Sequence, residues 1–217
     1  MFKRSIKTFF GVIIYILFFS LALVPILAIR ANIESIHYSI AVSIWAFGTA
    51  LFFFPAIAII IKRVWLFKTN SEPVPEDRLK GILLEVNDYG CPIQVRKSKG
   101  KLVASWNYHD QSWCELLEKT GKKRMYELWL DFDNASKTVF MTDKYRSTDW
   151  KLSPIKVTTG WFAYSKPYFK VATGEEWGVD NYVDSSPEDY NFAPKEIKSP
   201  FLNTILKNGW SVRFSLF

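Results

Sequence analysis

Two long runs without one charged side chain constrain this sequence more than any other feature: Thr8–Ile29 (TFFGVIIYILFFSLALVPILAI) and Ser39–Ile61 (SIAVSIWAFGTALFFFPAIAIII). At about 1.5 Å of rise per helical residue, either run crosses a hydrocarbon core roughly 30 Å thick. Both are apolar all round, whereas a helix on a soluble domain keeps a polar face. Burying both inside a soluble protein would need more covering chain than the rest of the 217 residues supplies. The reading is therefore a two-helix transmembrane hairpin with the lipid bilayer as its partner. A cleaved signal peptide would share the basic start, but the first run exceeds the usual core of roughly 7–15 residues and no clean A-x-A site follows it.

Flanking charge sets the orientation. Lys3, Arg4 and Lys7 precede the first run, and Lys62, Arg63 and Lys68 follow the second. The connecting loop, Arg30–Tyr38, carries only Arg30, offset by Glu34. Basic flanks stay on the cytoplasmic side, so both termini are expected inside and the loop outside, in a plasma (inner) membrane. Trp65 and Tyr38 sit where interfacial aromatics belong, one at each face. The expected membrane-interface anchors are Lys3, Arg4, Lys7, Lys62, Arg63, Trp65 and Lys68. Neither run holds the ionisable residue that marks a conduction or proton path. A channel would have to be an oligomeric pore lined by Ser20, Ser43 and Thr49. Ala46 and Ala50 form a small-xxx-small step expected to pack the hairpin.

The net charge of +7 divides unevenly, +6 up to Lys68 and +1 beyond it. Basic excess beside apolar segments is explained by membrane topology, so the pI near 9.3 is no argument for nucleic acid, and no nucleic-acid partner is expected. Two cysteines, Cys91 and Cys114, are too few for a disulfide scaffold. In a reducing cytoplasm they would be thiols.

The expected organisation is a hairpin over 1–68, a polar, proline-bearing linker over 69–75 (TNSEPVP), and an α+β domain over 76–217. Leu79, Ile82, Leu83 and Val86 repeat at helical spacing within Glu76–Tyr89, and Gly90 is its stop. Asp110–Thr120 (DQSWCELLEKT) reads as a shorter helix with Ser112 as cap and Glu115 at the capping-box offset. The period then changes to two. Met125–Asp133 and Lys137–Asp143 form a hairpin across Asn134-Ala135-Ser136, and strands follow at Ile155–Thr159, Trp161–Tyr164, Tyr168–Val171 and Trp210–Leu216. Helices followed by sequential strands predict a mainly antiparallel sheet. Charge is segregated: Arg96–Arg124 has a local charge of +5 and Glu175–Glu196 one of −6. The basic stretch suits anionic lipid headgroups and the acidic one a partner. Seven tryptophans in the domain suit a core or a protein interface.

No phosphate loop, dinucleotide fingerprint or nucleophile elbow is present. Cys91, His109 and Cys114 lack the spacing and the fourth ligand of a zinc site, and His109 is the domain's one imidazole for a Cys–His pair. Asp131-x-Asp133 resembles, as a three-letter string, the metal-binding D-x-D of nucleotide-sugar transferases; a solvated hairpin edge explains it without chemistry. No catalytic, cofactor-binding or metal residue is expected. The resulting expectation is a membrane-anchored cytoplasmic interaction or regulatory module with a protein partner or a second copy of itself. An enzyme built around Asp131, Asp133 and His109, or a subunit of an oligomeric channel, is the alternative.

Overall fold

A computed structural model of the protein describes residues 2–32, 34–108, 113, 119, 124–149, 158–159, 164–174, 176–183 and 190–216. The chain divides into two compact units, Met1–Trp65 and Leu66–Phe217. The class is α+β: two long apolar helices, then a sheet domain with helices.

The first unit is a helical hairpin of α1 (Phe2–Ala28) and α2 (Ser35–Val64), joined through a 3₁₀ turn at Ile29–Ala31. Pro25 and Pro55 lie within the helices without ending them. Polar side chains tie the two together: the Tyr15 hydroxyl donates to Thr49 O (2.5 Å), Trp45 Nε1–H to Phe19 O (3.0 Å) and Trp65 Nε1–H to Thr8 Oγ1 (3.0 Å). A Cβ on Gly11 would crowd Ile60 at 3.1 Å, so a glycine there lets the backbones approach. The seam therefore runs through Trp45 and Thr49. Ala46 and Ala50, expected to form it, are exposed on the neighbouring face. Ser43 and Thr49 donate their hydroxyls to carbonyls one turn back, Ser39 O and Trp45 O, as serine and threonine do in apolar helices.

The second unit is a two-layer domain. Strands β1 (Leu66–Phe67), β2 (Ile93–Ser98), β3 (Lys101–Trp106), β4 (Arg124–Asp133), β5 (Thr138–Asp149) and β8 (Ser211–Ser215) form a sheet in the order β1-β8-β5-β4-β3-β2. The short strands β6 (Thr158–Thr159) and β7 (Tyr164–Ser165) also pair with β5. Helices α3 (Glu76–Leu84) and α4 (Pro194–Lys207) touch each other and pack on one face, α3 against β2 and α4 against β4 and β8. Leu79, Leu83, Ile197, Phe201 and Ile205 from the helices meet Leu128, Leu130, Val139, Met141, Val212 and Phe214 from the sheet, all fully buried. Such interdigitated apolar surface is the main favourable term for the fold.

The β4–β5 hairpin forms as its alternation dictates, with Leu128 and Leu130 inward and Trp129 and Asp131 outward. The α3 helix continues as a 3₁₀ turn at Glu85–Asp88, matching the spacing of Leu79, Leu83 and Val86. Other elements differ from expectation. The β2–β3 hairpin turns at Lys99 (φ 50) and Gly100 (φ 79), two left-handed residues of the kind a tight hairpin loop requires. β8 is parallel to β5, with Val139 opposite Val212, because the chain re-enters the sheet through α4. Tyr168–Val171 is not a strand. The backbone groups of Tyr168 bond side chains instead of a ladder: its N–H donates to Asp143 Oδ2 (2.8 Å) and its carbonyl accepts from Lys198 Nζ (2.6 Å). The stretch around 69–75 belongs to the second unit and is tied to it, with Val74 N–H donating to Asn208 O (3.1 Å) and Trp210 Nε1–H to Val74 O (2.8 Å). Most of the helix expected over 110–120 and most of the strands expected over 155–159 and 161–164 lie outside the described residues.

Candidate functional site

The sheet face away from the helices carries the acidic residues that the sequence singled out. Asp131 pairs with Lys101 (2.6 Å), both well exposed. Asp133 accepts from Ser136 Oγ (2.7 Å), Ala135 N–H (3.1 Å) and Ser136 N–H (3.4 Å), closing the β4–β5 turn. Those hydrogen bonds, led by the Ser136 hydroxyl, hold its carboxyl below the usual carboxylate value. Each carboxylate thus has a local structural role. Among the described residues no three His, Cys, Asp or Glu side chains gather as a metal set. Cys91 is buried, its thiol directed at Val86 O and Ile93 O (3.7 Å each), and burial pushes its pKa up, away from a nucleophilic thiolate. His109 and Cys114 lie outside the described residues.

Glu127, on the same face, collects more partners: Arg96 Nη2 (3.1 Å), Arg146 Nε (3.4 Å) and Trp129 Nε1–H (2.9 Å). Lys144 lies over the Trp129 ring at 3.8 Å, and partial burial lowers its pKa. The result is a charged network around the Trp129 ring that joins β2, β4 and β5. Of the expected anchors, Lys3, Lys7, Arg63 and Lys68 are exposed, Arg4 and Lys62 half-buried, and Trp65 buried with its indole N–H engaged by Thr8.

A second constellation, which the sequence did not disclose, lies inside the domain. Lys198 Nζ donates to Asp143 Oδ2 at 2.6 Å, with the two side chains 0% and 1% exposed. The Tyr126 hydroxyl donates to Asp143 Oδ1 (2.6 Å), the Tyr168 N–H to Oδ2, and the ammonium rests 3.6 Å from the Phe214 ring centroid. Burial lowers the Lys198 pKa, opposed by the Asp143 charge; burial, helped by that same charge, raises the Tyr126 pKa. Both carboxylate oxygens and the ammonium thus have partners fixed in place. This arrangement clamps β5, α4 and the 165–168 segment together, and nothing in it is open to a substrate.

An open cleft lies where the acidic tract meets α4. A cleft of about 330 Å³ is lined by Glu176, Trp177, Asn181, Tyr182, Tyr190, Glu196 and Pro200. Its walls are held by α4, whose inward face is unusually polar. Ser199 Oγ accepts Ala172 N–H (3.0 Å), Asn203 bridges Gly174 N–H and Ala172 O, and Thr204 Oγ1 accepts Val179 N–H (2.9 Å). Those bonds fix Ala172, Gly174 and Val179, where the 3₁₀ turn Val179–Tyr182 begins. The Tyr182 hydroxyl donates to Glu196 O (2.5 Å), and burial keeps its phenol protonated well above the ordinary range. Tyr190 continues into a ring cluster with Trp106, Trp113 and Phe192, at centroid distances of 6.2, 6.2 and 6.3 Å.

The signal for this site was present in the sequence but divided. Six of the seven lining residues fall inside the acidic stretch 175–196; α4, which organises them, was missed. Its apolar positions Ile197, Phe201, Leu202 and Ile205 and its stop at Gly209 are helical signals, interrupted by buried Ser199, Asn203 and Thr204.

Comparison of the chain with family models, with curated proteins and with solved structures finds no significant match.

Proposed function

We propose that this chain is a membrane-anchored interaction module: α1 and α2 cross a plasma (inner) membrane as a hairpin, and the α+β domain stands on the cytoplasmic side and binds a partner. The observation that carries the reading is the surface of the hairpin. Phe9, Phe10, Ile14, Leu17, Phe18 and Leu21 of α1, and Ile44, Phe47, Leu51, Phe52 and Phe54 of α2, are all more than half exposed. Apolar surface of that extent is incompatible with water and suited to lipid. The mean hydropathy reaches 2.9 in α1 and 2.3 in α2. A signal sequence would account for α1 but would leave α2 equally in need of a bilayer. The basic flanks Lys3, Arg4 and Lys7, and Lys62, Arg63 and Lys68, favour the cytoplasmic side for the domain.

Interaction rather than chemistry is supported by where the described ionisable groups are spent. The carboxylates of the outer sheet face are paired or cap a turn, and the buried Asp143–Lys198 centre is sealed. The cleft beside α4 is walled by aromatic and acidic residues, a surface for recognition.

Alkaline carbonate extraction of membranes from expressing cells, with intact-mass analysis of the recovered chain, tests the anchor. The full-length chain is expected in the pellet. A soluble chain, or one shortened by removal of α1, would refute the two-span hairpin.

A further inference from the structure

We infer that the cleft between the 176–182 segment and the start of α4 is a binding site for an organic ammonium cation, the quaternary type above all; this deepens the interaction reading by naming what the domain recognises. Three kinds of observation converge. The first is shape: about 330 Å³ of concave space is the size of a small-molecule site rather than a surface dimple. The second is the wall. Trp177, Tyr182 and Tyr190 bring three aromatic residues to one concavity, together with Glu176 and Glu196 and, among the described residues, no basic side chain. Ring faces are electron-rich, and attract a cation most where water is displaced. The third is charge: among the described residues of the stretch that supplies the wall, Glu176, Asp180 and Glu196 are acidic and Lys195 is basic, with Asp180 paired to Lys207 at 3.9 Å. Concave surfaces lined by one sign of charge concentrate the opposite ion.

The chemistry distinguishes among cations. The Tyr182 hydroxyl is already committed to Glu196 O and the residue is 5% exposed, so its ring backs the cleft and its hydroxyl is not offered to a ligand. A primary ammonium needs three hydrogen-bond acceptors to replace its tight hydration shell. A quaternary ammonium is weakly hydrated, makes no hydrogen bonds and gains from ring faces alone, with the two carboxylates supplying its counter-charge. The cleft is also pre-formed, because Ser199, Asn203 and Thr204 hold Ala172, Gly174 and Val179 from beneath.

The test uses the full chain in an uncharged maltoside detergent, titrated calorimetrically with choline and, in parallel, with 3,3-dimethylbutan-1-ol, which has the same shape without the charge. Saturable 1:1 choline binding is expected, at least about tenfold tighter than for the neutral isostere and weakened by added salt. Glu176→Gln with Glu196→Gln is expected to weaken choline binding by about tenfold, and Trp177→Leu by a similar factor. Since Glu196 accepts the Tyr182 hydroxyl through its backbone, the glutamine variant keeps that bond; an unchanged unfolding midpoint confirms that the variants fold. Should they fail to fold, the comparison of choline with its isostere on the unaltered chain decides alone. Equal binding of the two ligands, or no binding of either, would overturn the inference. Glycerophosphocholine distinguishes the source: tighter binding than choline assigns a lipid headgroup, and weaker binding a free amine. Choline binding by a chain that carbonate extracts from the membrane would refute the anchor and leave this site standing.

Discussion

Replacing Lys198 with methionine removes the ammonium and keeps most of the side chain's volume, which makes it the sharpest probe of the domain's interior. Asp143 keeps the Tyr126 hydroxyl at 2.6 Å and the Tyr168 N–H at 2.8 Å. Its charge, however, is then unopposed at 1% exposure. Breaking a buried pair by deleting one partner costs about 3–5 kcal/mol, because the remaining ion must be neutralised or hydrated where no water reaches. Tyr168 O loses its donor as well, a penalty of about 1–3 kcal/mol that overlaps with the first. Against a typical domain stability of about 5–15 kcal/mol, Lys198→Met alone should remove a third or more. Asp143→Asn in the same background takes away the orphaned charge, and the double variant should recover most of the loss, to within about 1–2 kcal/mol of the parent. The assay is equilibrium urea unfolding of the full chain in detergent, followed by the fluorescence of buried Trp106 and Trp210, with the slope compared among variants. Losses below about 1 kcal/mol for each single variant, with no coupling between them, would show that the pair is solvated and that the clamp is not structural.

Three further outcomes follow from the same geometry. Tyr126 and Tyr182 have phenol pKa values raised above the ordinary 10.0 by burial, so the folded chain keeps protons that the unfolded chain releases; the stability they contribute is complete below about pH 10 and is lost as pH rises through their folded values. Tyr126→Phe should make the alkaline fall in the urea midpoint shallower, although the lowered Lys198 pKa pulls the other way in the window just below 10.5. Gly209 sits at φ +79, and a Cβ there would collide with the backbone of Glu72 and Pro73; Gly209→Ala should therefore cost more than the ~1–2 kcal/mol of left-handed strain alone, read as a drop in Tm. Asp131→Ala, which breaks a pair about half exposed at the carboxylate, should change stability by less than about 1 kcal/mol, whereas Glu127→Ala, at 9% exposure with three partners, should cost about 1–3 kcal/mol in the same unfolding assay.

How far the fold was readable depended on how local its cause was. The apolar runs, the α3 spacing and the β4–β5 alternation are periodic patterns set by one buried face each, and they are found where the residues place them. The β2–β3 hairpin was hidden because β3 reads LVASW, apolar on both faces: Val103 is as buried as Leu102 and Ala104. Its turn, Lys99-Gly100, is marked only by the glycine. Helix α4 was obscured by polar residues pointing inward, where they serve loop carbonyls and amides instead of solvent. Tyr168–Val171 looked like a strand because it is aromatic and bounded by turn residues, but two buried side chains capture its backbone groups. Of the two constellations, the Asp143–Lys198 clamp joins residues 55 positions apart, and no spacing rule could have paired them. The cleft was half legible: the acidic stretch stood out by composition, and its concavity exists only once α4 is in place.

The most direct test of the account asks on which side of the membrane the two ends of the hairpin lie. In a background with Cys91→Ser and Cys114→Ser, a single thiol is placed at Glu34→Cys in the interhelical loop or at Asn70→Cys just after β1, both exposed positions. Intact cells are then treated with a membrane-impermeant maleimide. Labelling of the Glu34 site in intact cells, and of the Asn70 site only after permeabilisation, is the predicted result. Labelling of the Asn70 site in intact cells would contradict a cytoplasmic domain, and equal labelling of both would contradict the hairpin.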